Sequence, residues 1–222
     1  MQLYDHLLQF PLFQGMSRDN LAQVVGQTKF GFVKCAAGEV VIREDDAATQ
    51  LYFLLSGALR VDTRSLDHAY TVVESLHPPY MFQAEALFGY SQRFTHTFTT
   101  TEDSSFVTIS KDEVMRLATD FLVFRLNLLN LYATQAQRLS SRPLHPFPAT
   151  LTARIVRFLV ERCVHPAGPK TFHILMTRLA DEVGDSRLDV SRALNALQQD
   201  GLLGLHRGRI EVPQMERLLM SV

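Results

Sequence analysis

Between residues 30 and 110 the chain is written in short β-rich runs, and few folds accept that pattern. The runs fall at 30–35, 40–43, 51–56, 58–63, 70–76, 94–101 and 105–110. Turn signals part them: Ala37-Gly38-Glu39, Asp45-Asp46, Ser56-Gly57, Pro78-Pro79 and Glu102-Asp103. Many short strands punctuated in this way predict a closed roll or jelly-roll barrel, which buries its own strand edges.

Helical spacing flanks this block. Ser17 is a good N-cap for a helix from Arg18 to about Thr28, with Leu21, Val24 and Val25 as its apolar stripe. A short helix is expected from Lys111 and a longer one over 121–140. The longer one is apolar on two sides: Phe121, Phe124, Leu128 and Leu131 line one, and Leu122, Leu126, Leu129, Ala133 and Ala136 the other. A helix without a wide polar face is buried on both. One side would pack on the roll and the other on a second copy of the chain; burial wholly within one subunit is the alternative. Pro143, Pro146 and Pro148 then forbid helix and predict a hinge.

Past the hinge, 151–163 reads as an amphipathic helix and Pro166-Ala167-Gly168-Pro169 as a turn. The stretch from Leu179 to Leu197 reads as two helices pinned by a tight turn at Gly184. Val183, Val190, Leu194 and Leu197 are spaced to bury the second helix against the first. Ser186, Arg187, Asp189, Ser191, Arg192 and Asn195 are left for its exposed side. This is the layout of a helix-turn-helix, whose second helix enters the DNA major groove. Arginine suits guanine O6 and N7 or phosphates, while serine and asparagine suit phosphates. Residues 202–205 and 209–212, joined at Arg207-Gly208, predict a wing in which His206, Arg207 and Arg209 reach the DNA backbone or minor groove. Pro213 opens a short closing helix. The fold class expected is α+β: a double-stranded β-helix of cupin type over 1–120, a dimerisation helix over 121–142 and a winged helix-turn-helix over 149–222.

The bulk numbers agree with a folded, soluble protein: 46% hydrophobic and 20% charged residues in 222. No apolar run approaches the ~20 residues of a membrane span. The N-terminus lacks the basic start and apolar core of a signal peptide, so a cytoplasmic protein is expected. Net charge is −1, with a slight basic tilt from about residue 149 onward. Cys35 and Cys163 lie far apart and are expected to be free thiols. Two cysteines do not supply an iron–sulfur cluster or a four-ligand zinc site.

These segments together resemble the superfamily of the cyclic-AMP receptor protein and the fumarate–nitrate regulator (Crp/Fnr). Leu12-Phe13-Gln14-Gly15-Met16-Ser17 looks like its N-terminal helical signature. Gly38-Glu39-Val40-Val41-Ile42-Arg43-Glu44-Asp45-Asp46 looks like its glycine–glutamate strand, and Leu51 to Val61 like its most recognisable strand pair. Gly184-Asp185-Ser186-Arg187, Val190-Ser191-Arg192 and Asp200-Gly201-Leu202-Leu203 match its DNA-reading end. The resemblance covers nearly the whole chain. It implies a bacterial homodimeric transcription regulator that binds a palindromic double-stranded operator and touches RNA polymerase, and it implies no enzyme activity.

Two departures qualify what the resemblance implies. In nucleotide-binding members a Gly-Glu pair holds the ribose and a later Arg-Ser or Arg-Thr pair holds the cyclic phosphate. Here Gln83 and Ala84 replace the first pair, Glu85 stands one residue late, and Phe94 separates Arg93 from Thr95. Glu85 in an extended segment would point to the wrong side. An unknown ligand held near Gln83, Ala84, Glu85, Arg93 and Thr95, or no small ligand, is expected in place of a cyclic nucleotide. No cofactor is expected. In the second helix, Leu188 replaces a glutamate that in many relatives accepts from cytosine N4. Arg187 and Arg192 therefore carry the base or phosphate contacts. Haem at His68, His77 or His96 lacks a ligand pair at a diagnostic spacing. A cupin-like metalloenzyme, the distant alternative, lacks a His-x-His pair.

Overall fold

The computed structural model describes residues 3–141, 144 and 146–222. The helices are α1 (Leu3–Leu7), α2 (Arg18–Gln27), α3 (Lys111–Asp120), α4 (Leu122–Ser141), α5 (Leu151–Glu161), α6 (Met176–Val183), α7 (Arg187–Gln199) and α8 (Met215–Leu219). The strands up to α3 are β1 (Phe30–Cys35), β2 (Val40–Ile42), β3 (Gln50–Ser56), β4 (Leu59–Arg64), β5 (Tyr70–Leu76), β6 (Tyr80–Met81), β7 (Thr97–Thr100) and β8 (Ser104–Ser110). Those after α5 are β9 (Lys170–Ile174), β10 (Gly204–His206) and β11 (Arg209–Val212). The α+β class holds, with a β-roll, a long helix and a winged helix-turn-helix in that order. The chain forms two compact units: residues 1–59, 76–95 and 99–145 in the first, and 60–75, 96–98 and 146–222 in the second.

In the first unit, an antiparallel four-stranded sheet runs β1-β8-β3-β6. β8 does not alternate: Phe106, Val107, Thr108 and Ile109 are all buried. A strand covered on both faces must be apolar at successive positions. Val107 and Ile109 join the cluster of Leu51, Phe53, Leu117 and Phe124. Phe106 meets Phe82 on the other side, with ring centroids 5.8 Å apart. β3 follows the same rule, with Phe53 and Leu54 both buried, and its register shifts between Leu54 and Ser56. Gly57 takes the turn that follows. Its φ is +97°, and a Cβ there would lie 2.7 Å from Ser104 Cα, so a side chain is excluded twice over.

Two helices of this unit, α2 and α3, start where hydroxyl caps put them. The Ser17 and Ser110 side chains accept from the amides of Asn20 and Glu113. Phe121 separates α3 from α4 in an extended conformation (φ −120°, ψ 107°), so the long helix begins one residue later than expected. Along α4, Phe124 and Leu128 are buried against the roll, and Leu131 and Tyr132 pack beside them. Asn127 Nδ2 donates to the carbonyls of Leu12 (3.1 Å) and Gln14 (2.8 Å) and ties the helix to the N-terminal segment. The second apolar side is uncovered in the single chain. Leu122, Leu126 and Leu129 are 48 to 58% exposed, and Ala133 and Ala136 are exposed as well. The predicted hinge falls partly on Arg142, Pro143 and His145, which lie outside the described residues.

The second unit holds an element that the sequence did not announce. β9 stands where a turn was expected to lead straight into the helix-turn-helix. It lies between β11 and β5, pairing antiparallel with both, and β10 completes the wing. Tyr70 faces Ile174, Val72 faces Phe172 and Glu74 faces Lys170. The β4–β5 hairpin therefore extends the sheet of the winged helix. Residues 60–75 and 96–98, within the stretch expected as the sensor, belong to this second unit. Val72 enters the core of Ile155, Leu159, Phe172, Leu179, Leu194 and Ile210.

Polar bonds reinforce the join. Glu74 and Lys170 form an ion pair at 3.0 Å with both side chains fully buried. Glu74 also accepts from the amides of Val164 (2.7 Å) and His165 (3.1 Å), and Lys170 donates to the Ala167 carbonyl at 2.8 Å. Arg162 lies over the Phe158 ring at 3.7 Å, donates to the Tyr70 hydroxyl at 2.8 Å and pairs with Glu182 on α6. Asp67 at the hairpin turn pairs with Arg178 of α6 at 2.9 Å. Beside this cluster, burial first and the Glu74 carboxylate second push the Cys163 thiol up to about 12. Both cysteines are free.

Candidate nucleic-acid interface and sensor cassette

The helix-turn-helix is built as its residues require. Gly184 ends α6 in the left-handed region (φ 64°, ψ 47°), and the Asp185 amide donates back to the Ala180 carbonyl at 3.1 Å. This is the C-terminal cap that favours glycine. Asp185 accepts from Arg154 of α5 at 2.5 Å, which fixes the turn to the neighbouring helix. Ser186 then caps α7. Its hydroxyl accepts from the Asp189 amide (3.1 Å) and donates to Asp189 Oδ2 (2.6 Å). Val190, Leu194 and Leu197 are buried as the spacing predicted.

The candidate contact residues fall into two groups. Arg187, Arg192 and Asn195 are exposed on α7, with Ser186 at its start and Ser191 half-buried among them. Arg187 forms no ion pair among the described residues. Asp189 is committed locally: one carboxylate oxygen serves the cap and the other lies 3.2 Å from Arg192 Nη1. Its acidic charge therefore stabilises the helix N-terminus and orients Arg192. Asn195 bonds back to the Ser191 carbonyl at 2.8 Å.

On the wing, Arg207 is exposed at the turn. Glu211 lies 3.2 Å from His206 and 3.1 Å from Arg209, a carboxylate that the sequence reading left out of account. It offsets part of the wing's positive charge. Sequence reasoning also passed over Leu188, which it treated only as a missing glutamate. Leu188 is 60% exposed at the second position of α7. Its place beside Arg187, off the stripe of Val190 and Leu194, was the available signal.

The cassette residues differ in burial and in their partners. Gln83 is buried, and its amide is used twice: Nε2 donates to Thr95 Oγ1 (2.6 Å) and Oε1 accepts from the Thr95 amide (3.1 Å). Ala84 is buried, and its carbonyl accepts from Tyr132 of α4 at 2.9 Å. Burial first, then the nearby Glu85 carboxylate, pushes the Tyr132 phenol up to about 12. Residues 84–87 form a 3-10 turn, so the extended-strand argument about Glu85 is corrected. Glu85 is exposed and accepts from Gln135 of α4 at 3.2 Å. Arg93 is exposed and donates to the Asp45 carbonyl at 2.5 Å. Tyr52 stacks on Phe82 at 5.6 Å and meets Phe94 edge-on at 6.4 Å, which packs aromatic rings beside the cassette. His96 Nδ1 lies 3.0 Å from the Thr63 hydroxyl. Among the described residues no three His, Cys, Asp or Glu side chains gather as a metal site, and no helix is long and apolar enough to cross a membrane.

Residues 32–121 match the family model of the cyclic nucleotide-binding domain, and residues 153–220 match that of the Crp-like helix-turn-helix domain. The chain belongs to the Crp/Fnr family of transcription regulators. No curated protein matches it in sequence. Among solved structures it is similar to the catabolite activator protein of Thermus thermophilus. That likeness has 22% identity over 96% of this chain and 99% of that one, with a TM-score of 0.54. It is also similar to the sensor domain of the transcriptional regulator DNR from Pseudomonas aeruginosa, with 20% identity over 66% of this chain and 94% of that one, and a TM-score of 0.51. At these identities the likeness is one of fold. The chain carries the family's Crp-like helix-turn-helix domain. Within its cassette, Gln83 is bonded to Thr95 and the Ala84 carbonyl to Tyr132.

Proposed function

We propose that the protein is a homodimeric, sequence-specific regulator whose two α7 helices enter successive major grooves of a palindromic operator. The observation that carries this reading is the capped α7 with Arg187, Arg192 and Asn195 on its open face. Ser186, Asp189 and Ser191 support that face, and His206, Arg207 and Arg209 of the wing reach the backbone beside it. Domain roles keep the expected division, sensing over 1–120, dimerisation over 121–142 and DNA reading over 149–222, with residues 60–75 packed in the DNA-reading unit. RNA polymerase is the protein partner that the family reading adds.

The exposed stripe of α4, from Leu122 to Ala136, is the proposed subunit interface. Covering large apolar side chains contributes about 25 cal/mol per Å2, so a few leucines decide whether two copies stay together. Leu126→Glu with Leu129→Glu is expected to turn a dimer into a monomer in sedimentation experiments with the far-ultraviolet spectrum unchanged. A dimer of undiminished affinity would remove α4 from the interface.

The signal enters through the roll in the first reading and changes the packing of α4. Coupling of ~1–3 kcal/mol is enough to switch operator occupancy. A second reading, regulation without a small ligand, is favoured by Gln83, whose amide is already satisfied by Thr95. Selection of random duplexes on the purified protein, with and without a metabolite extract, separates the two. A palindromic consensus obtained only with extract supports a gated regulator. The same consensus in both arms supports the second reading, and no consensus in either arm rejects sequence-specific binding.

A further inference from the structure

Leu188 is the large apolar side chain left open on the face of α7 that carries the candidate DNA contacts. A lone exposed leucine is ordinary on a protein surface. Leu188 is singled out by its neighbours. Residues 188, 191, 192 and 195 follow the i, i+3, i+4, i+7 spacing of one helix face. That face presents, in order, an isobutyl group, a hydroxyl, a guanidinium and a carboxamide. Val190, Leu194 and Leu197 hold the opposite face in the core, so the stripe cannot rotate away from solvent. Leu188 is also the second residue of α7, and the N-terminal residues of a recognition helix come closest to base edges.

Leucine neither donates nor accepts a hydrogen bond. Pressed against the major-groove edge of guanine, adenine or cytosine, it would strip water from polar atoms and return nothing. One major-groove group repays the contact: the C5 methyl of thymine. Resting on the reading of α7 as the DNA-contacting helix, we propose that Leu188 reads a thymine methyl in each half-site, within the stretch contacted by Arg187 and Arg192. The position then selects by apolar contact where a glutamate would select cytosine by accepting from its N4 amine.

The test uses the full-length protein and the operator obtained by duplex selection. Each thymine of the half-site is replaced in turn by uracil, which removes the methyl and leaves base pairing intact. The expected result is a loss of about fourfold in affinity when one thymine is replaced in one half-site and about fifteenfold when it is replaced in both, the scale of one buried methyl group in each. Leu188→Ala is expected to lose a similar factor and to abolish the uracil effect at that base alone. Alanine favours helix at an exposed position, so folding is not at issue. Leu188→Glu is expected to move the selected base toward cytosine. Operator binding that is indifferent to every uracil overturns the proposal and leaves the DNA-reading function standing. So does a uracil effect that survives in Leu188→Ala, or a thymine preference unchanged in Leu188→Glu. Wild-type protein that binds no duplex overturns both.

Discussion

Arg187→Ala together with Arg192→Ala is expected to lower operator affinity about 100-fold or more, with dimerisation and melting temperature unchanged. Each arginine that reaches a guanine edge or a phosphate is worth about 1–3 kcal/mol, and a dimer places each residue twice. Neither side chain supports the fold. Arg187 forms no ion pair among the described residues, and Arg192 meets only the exposed Asp189 at 3.2 Å. Surface pairs of that kind contribute about 0–1 kcal/mol. Binding isotherms at several salt concentrations provide the check. The variant should also show a shallower salt dependence if either arginine had been neutralising a phosphate. Unchanged operator affinity would remove both residues from the readout.

Glu74→Ala is expected to be the most destabilising of the variants considered, by about 3–5 kcal/mol, because it leaves the Lys170 ammonium buried without its counter-charge. For a chain of this size that corresponds to a drop of roughly 10 °C in melting temperature. Glu74 also accepts the Val164 and His165 amides, so the substitution orphans two backbone donors as well. Replacing both partners by apolar residues of similar size, Glu74→Leu with Lys170→Met, should recover much of the loss. A Glu74→Ala variant that melts within a degree or two of the parent would contradict the burial described for this pair.

Local chemistry was legible in the sequence wherever local chemistry decides. The cap at Ser17, the turn at Gly184 and the buried stripe of α7 all depend on residues within one turn of each other. The two-sided helix was legible as a pattern, and the side facing the roll is the one that carried Phe124 and Leu128. What escaped was set by distant partners. β9 has little signal of its own: five residues between a proline turn and a helix, made a strand by β11 on one edge and β5 on the other. Glu85 was misjudged because the segment coils into a 3-10 turn, which changes side-chain direction from that of a strand. The offset of His206 and Arg209 needed the cross-strand position of Glu211, and the engagement of the Gln83 amide needed Thr95 opposite it.

Pairing β5 with β9 also bears on how the molecule is made. Val72 and Phe172, partners in that ladder, lie about 100 residues apart in the chain, and contacts of such long range form late and slowly. During synthesis the hairpin at 60–75 must wait for its mate. A fragment cut at the expected boundary, 149–222, would carry the complete helix-turn-helix and wing yet lack β5. Its sheet would end on an unpaired β9, with the Lys170 ammonium stripped of Glu74. Bare strand edges recruit one another, so such a fragment is set to self-associate. A separable reading head needs the hairpin delivered with it.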